Sequence, residues 1–268
     1  RQPDELHDFG TVVRREAYRF LMRSKLIQLA QGEGITSHAV LDAIRNQKVL
    51  SKNMLGRQVE EWFFGQPYAT AVNAGCRFMG EYITGAYRGD ADTWRVTSLA
   101  RGSTAEVFKA IDQLGRPENL RVTCVDEHIE ALSAAGEMAE KLGVTGNLSL
   151  VRIDVLVKGM IRSRLRLVPQ DLIFFQALVQ QVSEEALLDL MDEVHALLAP
   201  GGVFLLGQIH LPDDASLFME HVLGMPVTNW PVEVLSDLAQ RSSFGSRFEW
   251  VSTPGDELCS FLELRRGT

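Results

Sequence analysis

The chain has 268 residues and a formal net charge of -8, with 46% hydrophobic and 23% charged residues, which fits a globular protein of one large domain or a domain with an appendage. The acidic balance argues against broad nucleic-acid binding, which needs a basic face for phosphates; no apolar run reaches the ~18 residues of a membrane span, and no signal-peptide pattern opens the chain. Cys76, Cys124 and Cys259 are odd in number and far apart, so neither a disulfide framework nor a zinc site is indicated and a reduced, cytoplasmic setting fits.

Residues 11–88 carry apolar side chains at helical spacings. Helices are predicted over Glu16–Ala30, His38–Val49, Gly56–Phe64 and Ala69–Tyr87, with Thr36-Ser37 as a cap and Gln66-Pro67 as a break. Gly89–Asp92 separates this part from an alternation of strands and helices. Trp94–Leu99 reads as a buried strand, followed by the loop 100–104 and a helix through Leu114. The second strand, Arg121–Val125, ends on Asp126, and the third, Leu148–Ile153, ends on Asp154. Asp171–Phe175 is the fourth, followed by a helix over 184–198, and Pro200–Gly202 turns into a fifth, Val203–Ile209. Ala215–Val222 and Val232–Arg241 read as helices; Phe248–Val251 and Leu258–Leu264 read as a closing antiparallel hairpin with its turn at 253–256.

Short apolar strands alternating with helices argue for a parallel sheet covered on both faces. In such a sheet a ligand lies beyond the carboxyl ends of the strands, where the loop 100–104, Asp126 and Asp154 would sit. Asp126 follows Gly102 at a distance suited to a ribose-binding acid on the second strand. The loop has one glycine, so the fingerprint that cradles a dinucleotide pyrophosphate is absent.

Taken in order, Ser98-Leu-Ala-Arg-Gly-Ser103, Val125-Asp126, Ile153-Asp154, Asp171–Gln176 and Leu197–Val203 resemble the class I S-adenosylmethionine-dependent methyltransferases over roughly residues 94–264. Two shorter segments, Phe175–Val182 and Leu217–Pro226, resemble the branch that makes 3-hydroxypalmitic acid methyl ester, a bacterial signalling lipid. The resemblance implies an α/β, Rossmann-like doubly wound sheet, mostly parallel with a C-terminal antiparallel hairpin. A helical lid, substrate-binding or dimerisation region at 1–90 would precede a cofactor-binding domain at 91–268. The implied cofactor is S-adenosylmethionine. Gly102 would permit backbone approach, with Ala100 leaving room beside it. Asp126 would bind the ribose hydroxyls, and Asp154 the adenine amino group, with Ile153 or Val155 against the ring. Gln176 would face the place where cofactor and substrate meet. The family's loop usually holds further small residues where this chain has Arg101, Ser103 and Thr104. Arg101 would point outward, sit against the cofactor's carboxylate, or obstruct it.

Each residue has a plainer reading. Asp126 and Asp154 would serve equally as helix caps, and a buried Gln176 as a partner for loop backbone. His210, just past the fifth strand, could take a proton from an acceptor hydroxyl or amine, or could be a loop histidine. His221 reads as a helix-face residue, and His128 and His195 fall on predicted helices. The aromatics of Trp62–Tyr68 and Phe78–Tyr82 would wall an apolar acceptor pocket or pack helices. Lys158, Arg162, Arg164 and Arg166 would attract an acidic carrier protein or line a solvated face.

The leading expectation is O-methylation of a carboxylate or hydroxyl on a small molecule or carrier-bound acyl group, with a homodimer and an acyl carrier protein as the partners to consider. Methyl transfer asks mainly for alignment, so the lack of an obvious triad does not count against it. The alternative is the same scaffold without methyl transfer, as a cyclase-like enzyme or a binding and dimerisation module. Nucleic acid is not an expected partner.

Overall fold

The computed structural model describes residues 3–100, 104–165, 168–176, 182–227, 229–252 and 257–268. Helices come first: α1 (Pro3–Leu21), α2 (Lys25–Glu33), α3 (His38–Arg45), α4 (Met54–Phe64) and α5 (Pro67–Ala86). The single helix predicted over Glu16–Ala30 is broken, although its apolar spacing runs on. Ser24 caps a new helix by accepting from Ile27 N, and the buried Glu60 carboxylate takes both Ser24 Oγ (3.1 Å) and Leu26 N (3.0 Å). A partner 36 positions away therefore decides the break. Asn53 caps α4 through Gly56 N, and Pro67 stands in the first turn of α5, where its missing N–H costs nothing. Ser37 precedes α3 without a side-chain cap bond.

The strands are β1 (Trp94–Ala100), β2 (Leu120–Asp126), β3 (Leu148–Arg152), β4 (Gln170–Gln176), β5 (Leu198–Ile209), β6 (Phe248–Val251) and β7 (Cys259–Arg265). They form one sheet in the order β3-β2-β1-β4-β5-β7-β6. The pairs from β3 through β5 are parallel, whereas β7 runs antiparallel to both β5 and β6. This is the mostly parallel sheet with a C-terminal antiparallel pair that the apolar runs predicted. β5 starts earlier than expected: Leu198 already pairs with Gln170, and the irregularity around Pro200–Gly202 sits within the strand. Gly201 takes a positive φ of 74°, and a Cβ on Gly202 would meet Gln170 O at 2.8 Å.

Between the strands run α6 (Ala105–Gln113), α7 (Ile129–Leu142), the short α8 (Met160–Arg164) and α9 (Glu184–Leu197). After β5 come α10 (Asp213–Leu217), a π-helical turn at Phe218–Val222, and α11 (Val232–Arg241). His128, expected within a helix, instead precedes α7 as its cap residue. The helix predicted over Ala215–Val222 divides at Phe218 into α10 and the π turn. Lys158 meets Asp189 at 2.9 Å on the exposed surface, an arrangement of little energetic weight.

One face of the sheet packs Phe175, Phe204 and Leu262 against α9 and α11, and the other packs Val96, Phe174 and Phe261 against α5, α6 and α7. A third apolar cluster joins the N-terminal helices to the segment after β5, through Leu26, Phe63 and Val72 with Ile209, Met219 and Leu223. The helical region is thus packed onto the sheet's carboxyl edge. Fully burying each such apolar side chain stabilises by about 1.5–3 kcal/mol, so this seam anchors α1–α4 firmly.

Candidate functional site

The chain fills the sheet outward from β1 in one direction, to β2 and β3, and then in the other, to β4 and β5. The carboxyl ends of β1 and β4 therefore flank a switch point, where the connections part and leave a crevice. Ala100 ends β1 and pairs directly with Gln176 at the end of β4. Asp126 ends β2, opposite Arg152 of β3. Arg101 and Gly102 lie outside the described residues.

Asp126 is 3% exposed. Its Oδ1 accepts from His128 N at 2.8 Å and lies 3.2 Å from His128 Nδ1. The carboxylate thus closes the turn into α7, the plainer of its two roles, while standing at the strand end that a ribose-binding acid requires. Asp154 follows β3 and is half-buried; its Oδ1 accepts from Leu156 N at 3.0 Å. Val155 is buried with Ile153 and Ile161 in the core.

Gln176 is held more tightly than a loop glutamine would be. A Cβ on Gly75 of α5 would fall 2.2 Å from its Nε2, and one on Gly207 of β5 would fall 3.2 Å from its Cγ. Two glycines, one per flanking element, make the slot for this side chain. Within it Oε1 is buried and accepts no hydrogen bond among the described residues. A buried amide oxygen without a donor costs about 1–3 kcal/mol, so this one is suited to a donor brought by a ligand.

His210 is half-buried beyond β5. Gln208 Nε2 donates to Trp230 O at 2.6 Å and stands 3.2 Å from His210 Nδ1. An amide nitrogen only donates, so Nδ1 accepts and the ring proton is on Nε2, which reaches Ser260 Oγ at 2.6 Å. Burial lowers the imidazole's pKa below its ordinary 6.5. Both ring nitrogens are engaged by protein groups in a neutral ring.

The helices contribute groups that pattern reading missed. Gly75 sits beside Gln176 at the carboxyl edge, and Tyr87, just after α5, packs edge-on against Trp94 at the start of β1. Helix α5 therefore runs down one face, and Tyr68, two turns before Gly75, stands roughly 10 Å beyond the edge. Its hydroxyl is buried without a hydrogen bond among the described residues, and burial raises its pKa, with Arg45 acting in the opposite sense. His38 begins α3; burial lowers its pKa, while Asp42, Asp126 and Glu130 pull it back up and Arg45 lowers it. Arg45 closes α3 and meets Glu106 of α6 at 3.6 Å, both almost wholly buried. In sequence these two charges sit on amphipathic helices and resemble ordinary solvent-facing residues.

Several of the aromatics in Trp62–Tyr68 and Phe78–Tyr82 make packing contacts, the plainer of their two readings. Phe63 and Phe64 are buried in the helical core, Trp62 meets Phe218 edge-on, and Phe78 stacks on Phe261 at 4.2 Å. Tyr82 donates to Glu263 Oε2 at 2.8 Å, away from the crevice. His221 lies in the π turn, and the ring of His195 meets Phe244 edge-on at 4.9 Å.

No family model and no curated protein matches this chain. Solved structures do. A possible exported protein from Bordetella parapertussis superposes with a TM-score of 0.72 at 16% identity, covering 94% of this chain and 87% of that one. An O-methyltransferase family protein from Burkholderia thailandensis gives 0.58 at 13% identity, over 97% and 72%. The S-adenosylmethionine-dependent methyltransferase SibL, in its apo form, gives 0.58 at 15% identity, over 97% and 77%. The chain has a Rossmann-like methyltransferase fold. Identities this low carry the architecture alone, including N-terminal helices ahead of the sheet, because structure outlasts sequence and function is grafted onto folds.

Proposed function

We propose that this methyltransferase-fold protein is an S-adenosylmethionine-dependent enzyme that methylates an oxygen of a small molecule or carrier-bound acyl group. The observation that carries the reading is the presence, along one carboxyl edge of the sheet, of a buried Asp126 on β2 and the slotted Gln176 on β4, whose amide oxygen is without a donor among the described residues. The O-methyltransferases and S-adenosylmethionine-dependent methyltransferases among the structural neighbours, including a mitomycin 7-O-methyltransferase at a TM-score of 0.53, add support.

The residues present fit such a cofactor. Asp126 would hold the ribose hydroxyls and Asp154 the adenine amino group, with Ile153 and Val155 beneath the ring. Ala100 and, by the family resemblance, Gly102 would leave room at the end of β1. When bound, S-adenosylmethionine supplies a methyl group already activated on a sulfonium. The chain's own task is then to align the acceptor oxygen, the methyl carbon and the sulfur, and to exclude water. Gln176 would orient the acceptor beside the methyl group.

The engaged nitrogens of His210 favour a carboxylate acceptor, which is ionised at neutral pH and needs no base. A hydroxyl acceptor would require His210 to release Gln208 and serve as the base. The two segments resembling the hydroxypalmitate ester branch point in the same direction, toward a hydroxy fatty acid. The division into a lid at 1–90 and a cofactor domain at 91–268, a cytoplasmic setting and a homodimer formed through the helical region belong to the same proposal. Among the described residues no helix is long and apolar enough to cross a membrane.

The test is incubation with S-adenosylmethionine carrying a deuterated methyl group and a panel of hydroxy fatty acids, free and carrier-bound. Mass spectrometry should find a methyl ester that retains the free hydroxyl. Cofactor binding without any methylated product across carboxylate and hydroxyl acceptors would support the scaffold without methyl transfer instead.

A further inference from the structure

The charge of this chain is unevenly spread. Residues 14–57 carry nine Lys or Arg and three Asp or Glu, whereas the whole chain has 27 and 35. Five of those cations, Arg19, Arg23, Lys25, Lys52 and Arg57, are exposed around the corner between α1 and α2 and the first turn of α4. These two parts of the chain are held together. Lys25 N donates to Ser51 Oγ at 2.8 Å, and Asn53 Nδ2 donates to Arg23 O at 3.0 Å. A Cβ on Gly56 would clash with that same Arg23 oxygen, so a glycine is what lets α4 start against the corner. Among the described residues none of the five cations meets a carboxylate, and Glu16, a turn before Phe20, is taken by Arg15 at 3.1 Å. Arg19 and Arg23 stand one turn apart on α1, where like charges repel. The patch lacks an anion.

Apolar side chains stand among these cations. Phe20, Met54 and Leu55 are exposed, Met54 at 76%, and the Arg19 guanidinium lies over the Phe20 ring, 4.7 Å from its centre. Trp62, two turns after Leu55 on the same face of α4, is exposed as well. A single exposed apolar residue is ordinary; several ringed by cations mark a contact surface. Cations alone would suit any anion, but the apolar tips between them ask for hydrocarbon. A second copy of this chain answers poorly, because a two-fold contact would press the cations against themselves. A bilayer with anionic headgroups supplies both partners, phosphates at the surface and acyl chains just beneath.

We propose that the corner between α1 and α2, with the first turn of α4, docks this protein on an anionic membrane surface. Phe20, Met54 and Leu55 enter the boundary of the acyl chains, and the five cations lie on the headgroup phosphates. The attachment is peripheral. The helical region that carries the patch is the one packed onto the sheet's carboxyl edge, so an acyl acceptor dissolved in the bilayer would be concentrated beside that region. Docking itself needs neither cofactor nor methyl transfer, and it stands if the function proposed above fails.

Co-sedimentation of the full chain with vesicles tests this, using phosphatidylcholine alone and phosphatidylcholine mixed with phosphatidylglycerol. The double variant Lys25→Gln, Lys52→Gln removes two charges, and Met54→Ser removes one apolar tip. Arg241→Gln, an exposed cation on α11, is the control. Circular dichroism checks each fold. The wild type should pellet with the mixed vesicles, remain in solution with the neutral ones, and release as salt rises. The double variant should bind about thirtyfold more weakly, and Met54→Ser about threefold. No binding to mixed vesicles, equal binding to both kinds, or losses no greater than those of Arg241→Gln would overturn the proposal. Vesicles that fail to bind, beside a purified acyl carrier protein that binds the wild type and not the double variant, would overturn it in favour of an acidic protein partner.

Discussion

Replacing Glu60 with glutamine tests how the helical region is built. Glu60 is fully buried, and its two carboxylate oxygens accept five hydrogen bonds. Oε2 takes Leu50 N at 2.6 Å and Ser51 N at 3.0 Å; Oε1 takes Leu26 N at 3.0 Å and the hydroxyls of Ser24 and Ser51 at 3.1 and 2.5 Å. In Glu60→Gln the least costly arrangement puts the amide nitrogen where Oε1 stood, because both serine hydroxyls can rotate to accept. Leu26 N–H is then buried without a partner, and the other bonds lose their charge assistance. One orphaned donor plus that weakening amounts to about 2–4 kcal/mol of stability. Glu60→Ala strands every donor and should cost about 3–5 kcal/mol. Burial would raise the Glu60 pKa, but the bonds from Ser51, Leu26 and Leu50 bring it below its ordinary 4.5. A carboxyl lowered in the folded state contributes stability that is complete above about 4.5 and is lost as pH falls through the folded value. Urea denaturation of the wild type and Glu60→Gln at pH 7, and at steps down to pH 4, should therefore show a gap that narrows on acidification. A gap below 1 kcal/mol at pH 7, or one that does not narrow, would refute this account of the network.

The slot around Gln176 predicts that Gly75→Ala costs only about 1–2 kcal/mol, because the clashing atom ends a flexible side chain, yet weakens S-adenosylmethionine and acceptor binding by moving that amide; melting temperature and titration measured together check this. Tyr82→Phe removes a donor from Glu263, which is 3% exposed, and should cost about 1–3 kcal/mol in urea without altering cofactor affinity. Because burial holds the His210 pKa below 6.5, the unfolded chain takes up that proton first. Stability should fall as pH drops below 6.5, and His210→Asn should flatten part of that fall in urea midpoints measured from pH 7.5 to 5.5.

The sheet was legible because β1, β2 and β4 are apolar runs buried on two faces, and the predicted starts at Trp94, Arg121, Leu148 and Asp171 lie within a residue of the observed ones. Asp126 and Gln176 could be placed at strand ends for the same reason. What escaped the sequence depends on distant partners. The break before α2 is made by Glu60, the slot for Gln176 by Gly75 and Gly207, and the early start of β5 by Leu198 pairing with Gln170. Nothing local marks Arg45 and Glu106 as buried. Each sits on an amphipathic helix where a charge ordinarily faces water, and both are buried where the end of α3 meets the start of α6. The π turn at Phe218–Val222 continues a helical apolar pattern and leaves no local sign of its wider winding.

Calorimetric titration of the purified chain with S-adenosylmethionine, beside Asp126→Ala, decides whether the cofactor sits at this sheet edge. Saturable binding is expected, weakened at least tenfold by the substitution while the variant keeps a cooperative unfolding transition. A folded wild type that fails to bind at millimolar cofactor, or binding that is indifferent to Asp126, would contradict it.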